Sequence, residues 1–181
     1  MLYKSILLLA LFVGTIYCNI VLPYPYPLYK QCDSRWANNV IMNETICDVG
    51  CLMSSISMSI AGRELSINGQ LSTPATLNAW LKSNNGYTDG DLLIENAIPN
   101  ISPVIQWVGS YEHSDFTIQD IQDMLDQQIV VILNVNNGGH FVLAIGYDET
   151  NDTIYVNDPG FNKQSYTYED AVGYRIFKIM S

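Results

Sequence analysis

Apolar residues recur along the chain with two periods, and the change of period divides it. Over residues 51–62 (CLMSSISMSIAG), Leu52, Met53, Ile56 and Ile60 follow helical spacing, and Gly62 supplies a stop. Thr73-Pro74 reads as a second helix start, with Thr as cap and Pro in the first turn. Residues 75–82 then carry Leu77, Trp80 and Leu81 on one face and stop at Asn85-Gly86. Residues 91–97 suggest a further helical turn or two. Thr117 caps a third clear helix, 118–127, with Ile118, Ile121, Met124 and Leu125 inward. Residues 104–108 form a short strand before it. Further strand-type runs follow, and 129–135 (IVVILNV) has the composition of a fully buried strand. Residues 140–147 (HFVLAIGY), 153–157 (TIYVN) and 174–179 complete the set, with a turn at 148–152. Residues 21–29 (VLPYPYPLY) hold three alternating prolines and form an extended lead-in. Helices first and antiparallel strands last give an α+β class, N-terminal helices packed on a C-terminal sheet. No internal repeat or low-complexity segment interrupts it.

The first residues stand apart from this pattern. In MLYKSILLLALFVGTIYC, Lys4 precedes an apolar run at 6–13, and Gly14-Thr15 follow. A positive start, a short apolar centre and small residues near a cut make a secretory signal peptide over 1–18, leaving one domain over 19–181. The run is too short to span a bilayer, which needs about 20 apolar residues. The expected location is therefore extracellular or the lumen of the secretory pathway, with no membrane attachment after cleavage. Residues 19–29 are the only stretch left for a propeptide, so a large zymogen is not expected.

Charge narrows the partners. The chain has 8 Lys+Arg against 18 Asp+Glu, a formal net charge of −10, and only 14% charged residues. A nucleic-acid binder would present a basic stripe to phosphates, and an anionic membrane surface would repel this chain. The acidic field favours cationic substrates. In a secreted protein the sequons at Asn43, Asn100 and Asn151 become glycosylation candidates, all in stretches read as loops.

Four cysteines occur, Cys18, Cys32, Cys47 and Cys51. Cys18 leaves with the signal, and an odd thiol remains. Cys32 and Cys47 enclose a step of 15 residues that a loop closes easily. Their bridge is worth about 3 kcal/mol in the chain-entropy picture. Cys51 is then free, as a reactive thiol or as a small buried hydrophobe. A zinc site from Cys47, Cys51, His113 and His140 matches no familiar spacing, and no metal or cofactor is expected.

Cys51 opens a helix, where the positive end of the helix dipole stabilises a thiolate. A thiolate is the form that attacks, and it needs a base. Only His113 and His140 are available. His113 sits in the polar loop YEHSD and reads as a surface residue. His140 follows Asn136-Asn137-Gly138-Gly139 at the mouth of an apolar strand, where it can face a cleft. A third group must orient the imidazole. If strands 140–147 and 153–157 pair as a hairpin, their open ends meet, and Asp158 becomes a neighbour of His140. Asp158-Pro159-Gly160 is also a plain turn signal.

Taken in order, Gly50-Cys51, Met58, Gly139-His140-Phe141-Val142, Gly146-Tyr147-Asp148 and Asn157-Asp158-Pro159-Gly160 resemble the C39-like cysteine peptidases. These are papain-fold relatives of the bacteriocin-leader peptidases. Tyr29-Lys30-Gln31 with Asp33, Arg35, Trp36 and Ala37 is similar to that family's N-terminal segment, and Thr73-Pro74 and Trp80-Leu81 to its middle region. The resemblance covers about residues 24–179. It implies a papain-like fold, with Cys51 as nucleophile, His140 as general base and acid, and Asp158 as its orienter. Gln31 would stabilise the oxyanion beside the Cys51 amide. Papain-like enzymes keep that glutamine within a few residues of the cysteine; here the gap is 51 − 31 = 20. Leu52 also stands where a small residue is expected. The implied reaction is acyl transfer on a peptide or related amide bond of a peptide or protein substrate, by a monomer. The rival readings are a catalytically silent papain-like binding module and a structural secreted protein bridged through Cys51. A wall amidase is a variant of the enzyme reading.

Overall fold

The computed structural model describes residues 19–180. The signal-peptide reading of 1–18 and the fate of Cys18 lie outside them. Short strand β1 (Ile20–Val21) leads into an extended segment, then helices α1 (Ile46–Val49), α2 (Cys51–Gly62) and α3 (Pro74–Ser83). A small hairpin, β2 (Ser66–Ile67) and β3 (Gln70–Leu71), separates the last two. Strand β4 (Ile105–Glu112), helix α4 (Ile118–Asp126) and strands β5 (Val130–Val135), β6 (His140–Asp148), β7 (Thr153–Asn157), β8 (Ser165–Thr167) and β9 (Gly173–Ile179) follow. The sheet is antiparallel, ordered β4-β9-β5-β6-β7-β8, with β1 pairing the far end of β6.

The sheet is buried on both faces, and alternation along β5 shows how. Val130 and Ile132 join the core under α2 and α3, with Ile56, Ile60, Leu77 and Leu81. Val131, Leu133 and Val135 point the other way, into a core with Ile121 and Leu125 of α4 and Tyr166 and Tyr174 of the sheet itself. This explains the uninterrupted apolar run that marked the strand.

The helix starts follow the cap signals. Thr73 and Thr117 each accept from the third backbone amide of their helix, and Thr45 does the same for α1. The sequence reading differs elsewhere. Residues 91–94 are not helical. Asp91 adopts φ 65°, and its carboxylate accepts the Met42, Asn43 and Glu44 amides. A 3₁₀ helix begins only at Glu95 and runs to Ile101. The strand expected over 104–108 continues to Glu112 with a bulge between Trp107 and Gly109.

The proline-rich lead-in crosses the molecule toward one end of the sheet. Its prolines need no hydrogen-bond partner at nitrogen. Tyr24 donates to the Gly62 carbonyl at 2.6 Å, and the Arg63 guanidinium lies 3.8 Å over the Tyr24 ring. Asn157 holds the Tyr26 and Pro27 carbonyls at 3.0 and 3.1 Å. These contacts deliver Lys30 and Gln31 to the end of β7.

A thiol, an imidazole and a carboxylate at one end of the sheet

Cys51 is the first residue of α2. Gly50 precedes it as N-cap and brings no side chain to the first-turn amides. A Cβ at Gly50 would stand 2.4 Å from the Ile46 carbonyl oxygen, so only glycine lets α1 and α2 meet this closely. Cys51 is a free thiol, half-buried.

His140 begins β6, directly opposite Val135. The intervening turn has Asn136 and Asn137 at φ 53° and 54° and Gly138 at 90°, the left-handed backbone that Asn and Gly adopt most readily. His140 is buried, and its Nε2 lies 2.8 Å from Asp158 Oδ1. The ladder between β6 and β7 pairs Leu143 with Asn157 and Ala144 with Val156. That register is two residues away from one that makes His140 and Asp158 direct partners, because β6 runs on through Asp148 before the turn. Gly160 instead sits against His140: a Cβ there would be 2.8 Å from the imidazole Cε1. Asp158 reaches the ring from the first residue beyond the strand.

Asp158 is 1% exposed and fully ligated. Its Oδ1 also accepts the Gly160 and Phe161 amides at 2.8 and 2.9 Å, and its Oδ2 accepts the Tyr166 hydroxyl at 3.0 Å. Burial alone would raise its pKa. The His140 bond and the two amides outweigh burial and hold the carboxyl below its ordinary range. Burial likewise disfavours a charged His140. The Asp158 bond and the adjacent Cys51 sulfur reverse this and raise the imidazole to about 9. With Nε2 committed to Asp158, Nδ1 is the nitrogen left for the sulfur. Phe161 covers the ring edge-on, with centroids 4.9 Å apart.

Gln31 arrives at the same cavity. Its backbone N–H donates to the Pro159 carbonyl at 2.9 Å, and its Nε2 donates to the Cys47 carbonyl at 2.6 Å. Its Oε1 is buried without a partner. The 20-residue gap to Cys51 (51 − 31) is thus a loop that closes on itself. Cys32 and Cys47 are disulfide-bonded, and Trp36 is buried in the loop with its Nε1 on the Lys30 carbonyl at 2.8 Å. Gln31, the disulfide, Cys51, His140 and Phe161 line one cavity of about 450 Å³. His113 lies elsewhere, stacked on Tyr168 with its Nε2 3.9 Å from Glu169. Among the described residues, no group of three or more His, Cys, Asp or Glu is placed to hold a metal ion.

Two residues to which the sequence reading gave no role hold this arrangement. Tyr166, on the short strand β8, fixes Asp158 from behind. Lys30 donates from Nζ to the Asp158 and Phe161 carbonyls at 2.7 and 2.5 Å, spanning the turn that carries both. No local pattern marks either residue. Lys30→Met should loosen this turn and slow alkylation of Cys51 several-fold, with little change in melting temperature. Timed iodoacetamide labelling beside a thermal melt measures both.

A thiol at a helix start, with a buried imidazole and an ion-paired carboxylate in the same region, is an arrangement that can support thiol-dependent acyl transfer. The family model described as "Peptidase_C39 like family" matches residues 24–180. The chain belongs to that family. The fold is also that of a solved double glycine motif protease from an AMS/PCAT transporter, crystallised in complex with its leader peptide. That structure superposes with a TM-score of 0.51 at 15% identity, over 87% of this chain and 94% of its own. No curated protein sequence matches.

Proposed function

We propose that the protein is a secreted cysteine peptidase that cleaves a peptide bond through Cys51, His140 and Asp158. The observation that carries this reading is the buried His140–Asp158 bond at 2.8 Å, with His140 lining the cavity that also holds the free Cys51 thiol. The imidazolium holds the thiolate beside it as a counter-ion. The thiolate attacks the substrate carbonyl carbon and forms a C–S bond. The resulting oxyanion takes hydrogen bonds from the Cys51 amide and from Gln31 Nε2, which keeps one N–H beyond its bond to Cys47. The C–N bond breaks as His140 gives its proton to the leaving amine. His140 then takes a proton from water, whose oxygen attacks the thioester and frees the acid and the thiolate.

The solved structure in complex with a leader peptide is a precedent for a peptide as the ligand of this fold. The Cys32–Cys47 disulfide favours an oxidising compartment, in keeping with the signal-peptide reading. Asn151, exposed in the turn after β6, is the better glycan acceptor; Asn100 is exposed but lies on the 3₁₀ helix, with Pro103 directly after its sequon. The Asn43 amide nitrogen already donates to the Asp89 carbonyl and to the Asp91 carboxylate.

Iodoacetamide labelling of the folded, unreduced protein tests the reading. Cys51 should label at least tenfold faster at pH 7 than it does in a His140→Ala variant. Equal rates in the two proteins are those of an ordinary thiol and would remove the enzyme reading in favour of a binding module.

A further inference from the structure

We infer that the substrate carries a large aliphatic or aromatic side chain, not glycine, on the acyl side within two residues of the bond cut. This deepens the peptidase reading and rests on it. Cys51 has a second cavity on its other flank. It holds about 190 Å³ and is walled by Ile41, Leu52, Met53, Tyr87, Leu93 and Phe141. Neither His140 nor Gln31 lines it; both belong to the larger cavity. The leaving amine must meet the imidazole that protonates it, so the larger cavity takes the leaving side. The apolar one is left for the acyl side.

Size and surface specify the occupant. An apolar cavity of roughly 150 Å³ stays dry and accepts a benzene-sized guest, so a space of about 190 Å³ suits leucine, methionine or phenylalanine. Val49 and Leu92 also line it, with Leu92 70% exposed, and Glu44 and Asp91 are the two acidic residues of a lining that is otherwise mostly apolar. The roof is fixed before any ligand arrives. Asp91 clamps its loop to residues 42–44 through three backbone amides, and Tyr87 donates to Asn78 Oδ1 at 3.0 Å. Leu52, which stands where the family resemblance leads one to expect a small residue, is one of the walls.

Acetyl-dipeptidyl fluoromethyl ketones test this. One residue is held as glycine, and the other is varied through Gly, Leu, Phe and Asp at each position in turn. Each alkylates Cys51 with loss of fluoride, and mass spectrometry gives the rate. At one of the two positions Leu or Phe should react at least tenfold faster than Gly, and Asp no faster than Gly. Leu92→Asp, at an exposed site that the fold tolerates, should lower the Leu-to-Gly ratio at least threefold. Equal rates for Gly and Leu at both positions, with iodoacetamide still reporting an activated thiol, would overturn this inference and leave the peptidase reading standing. An unactivated thiol would overturn both.

Discussion

Replacing His140 with alanine is expected to slow peptide hydrolysis by about 10²–10⁴-fold, the usual contribution of a positioned acid–base group. The loss has a particular pH signature. His140 keeps its proton up to about 9, held by Asp158 and the Cys51 sulfur against the cost of burial. Wild-type hydrolysis should therefore fall as pH rises through about 9, where the proton needed by the leaving amine is lost. In His140→Ala that descending limb should vanish, leaving a low rate that climbs with hydroxide. Stability carries the same signature. The raised pKa of His140 stabilises the fold fully below its ordinary 6.5, and that contribution is lost as pH rises toward about 9. The lowered pKa of Asp158 acts oppositely: its contribution is present above the ordinary 3.8 and is lost as pH falls through its lower folded value. Melting temperature against pH should show a decline from 6.5 to 9 in the wild type that is absent in His140→Ala. A parallel decline in both proteins would place its origin elsewhere.

The second large effect belongs to the disulfide. Cys32→Ser with Cys47→Ser opens a loop closed over a separation of 15 residues. In the chain-entropy picture that is worth about 3 kcal/mol. For a protein of this size it amounts to a fall of roughly 6–12 °C in melting temperature. The effect should extend to chemistry, because Gln31 adjoins Cys32 and its amide bonds the Cys47 carbonyl. Hydrolysis measured well below the lowered melting point should fall tenfold or more. A destabilised variant with undiminished hydrolysis would show that Gln31 keeps its position without the bridge.

Much of this was legible in the sequence wherever a local rule acts alone. The caps at Thr73 and Thr117 set helix starts, and the apolar run 130–135 marked the central strand. The nearness of His140 and Asp158 followed from a hairpin, although its register was two residues out. What escaped depends on segments distant in the chain. Lys30 meets Asp158 across 128 positions. Tyr166 sits on a strand of three residues, too short for a pattern. Asp91 looked like part of a helical turn because its bonds to residues 42–44 exist only once two loops meet. The mostly apolar cavity beside Cys51 is likewise drawn from two loops, two helices and a strand.

The most direct measurement is turnover of a peptide pool by the folded protein beside its Cys51→Ala variant, with both protein and products followed by mass spectrometry. The account predicts cleaved peptides and an acyl group on Cys51 in the wild type, and neither in the variant. Equal cleavage by the two proteins, or a folded wild type that cuts nothing and carries no acyl group, would contradict it.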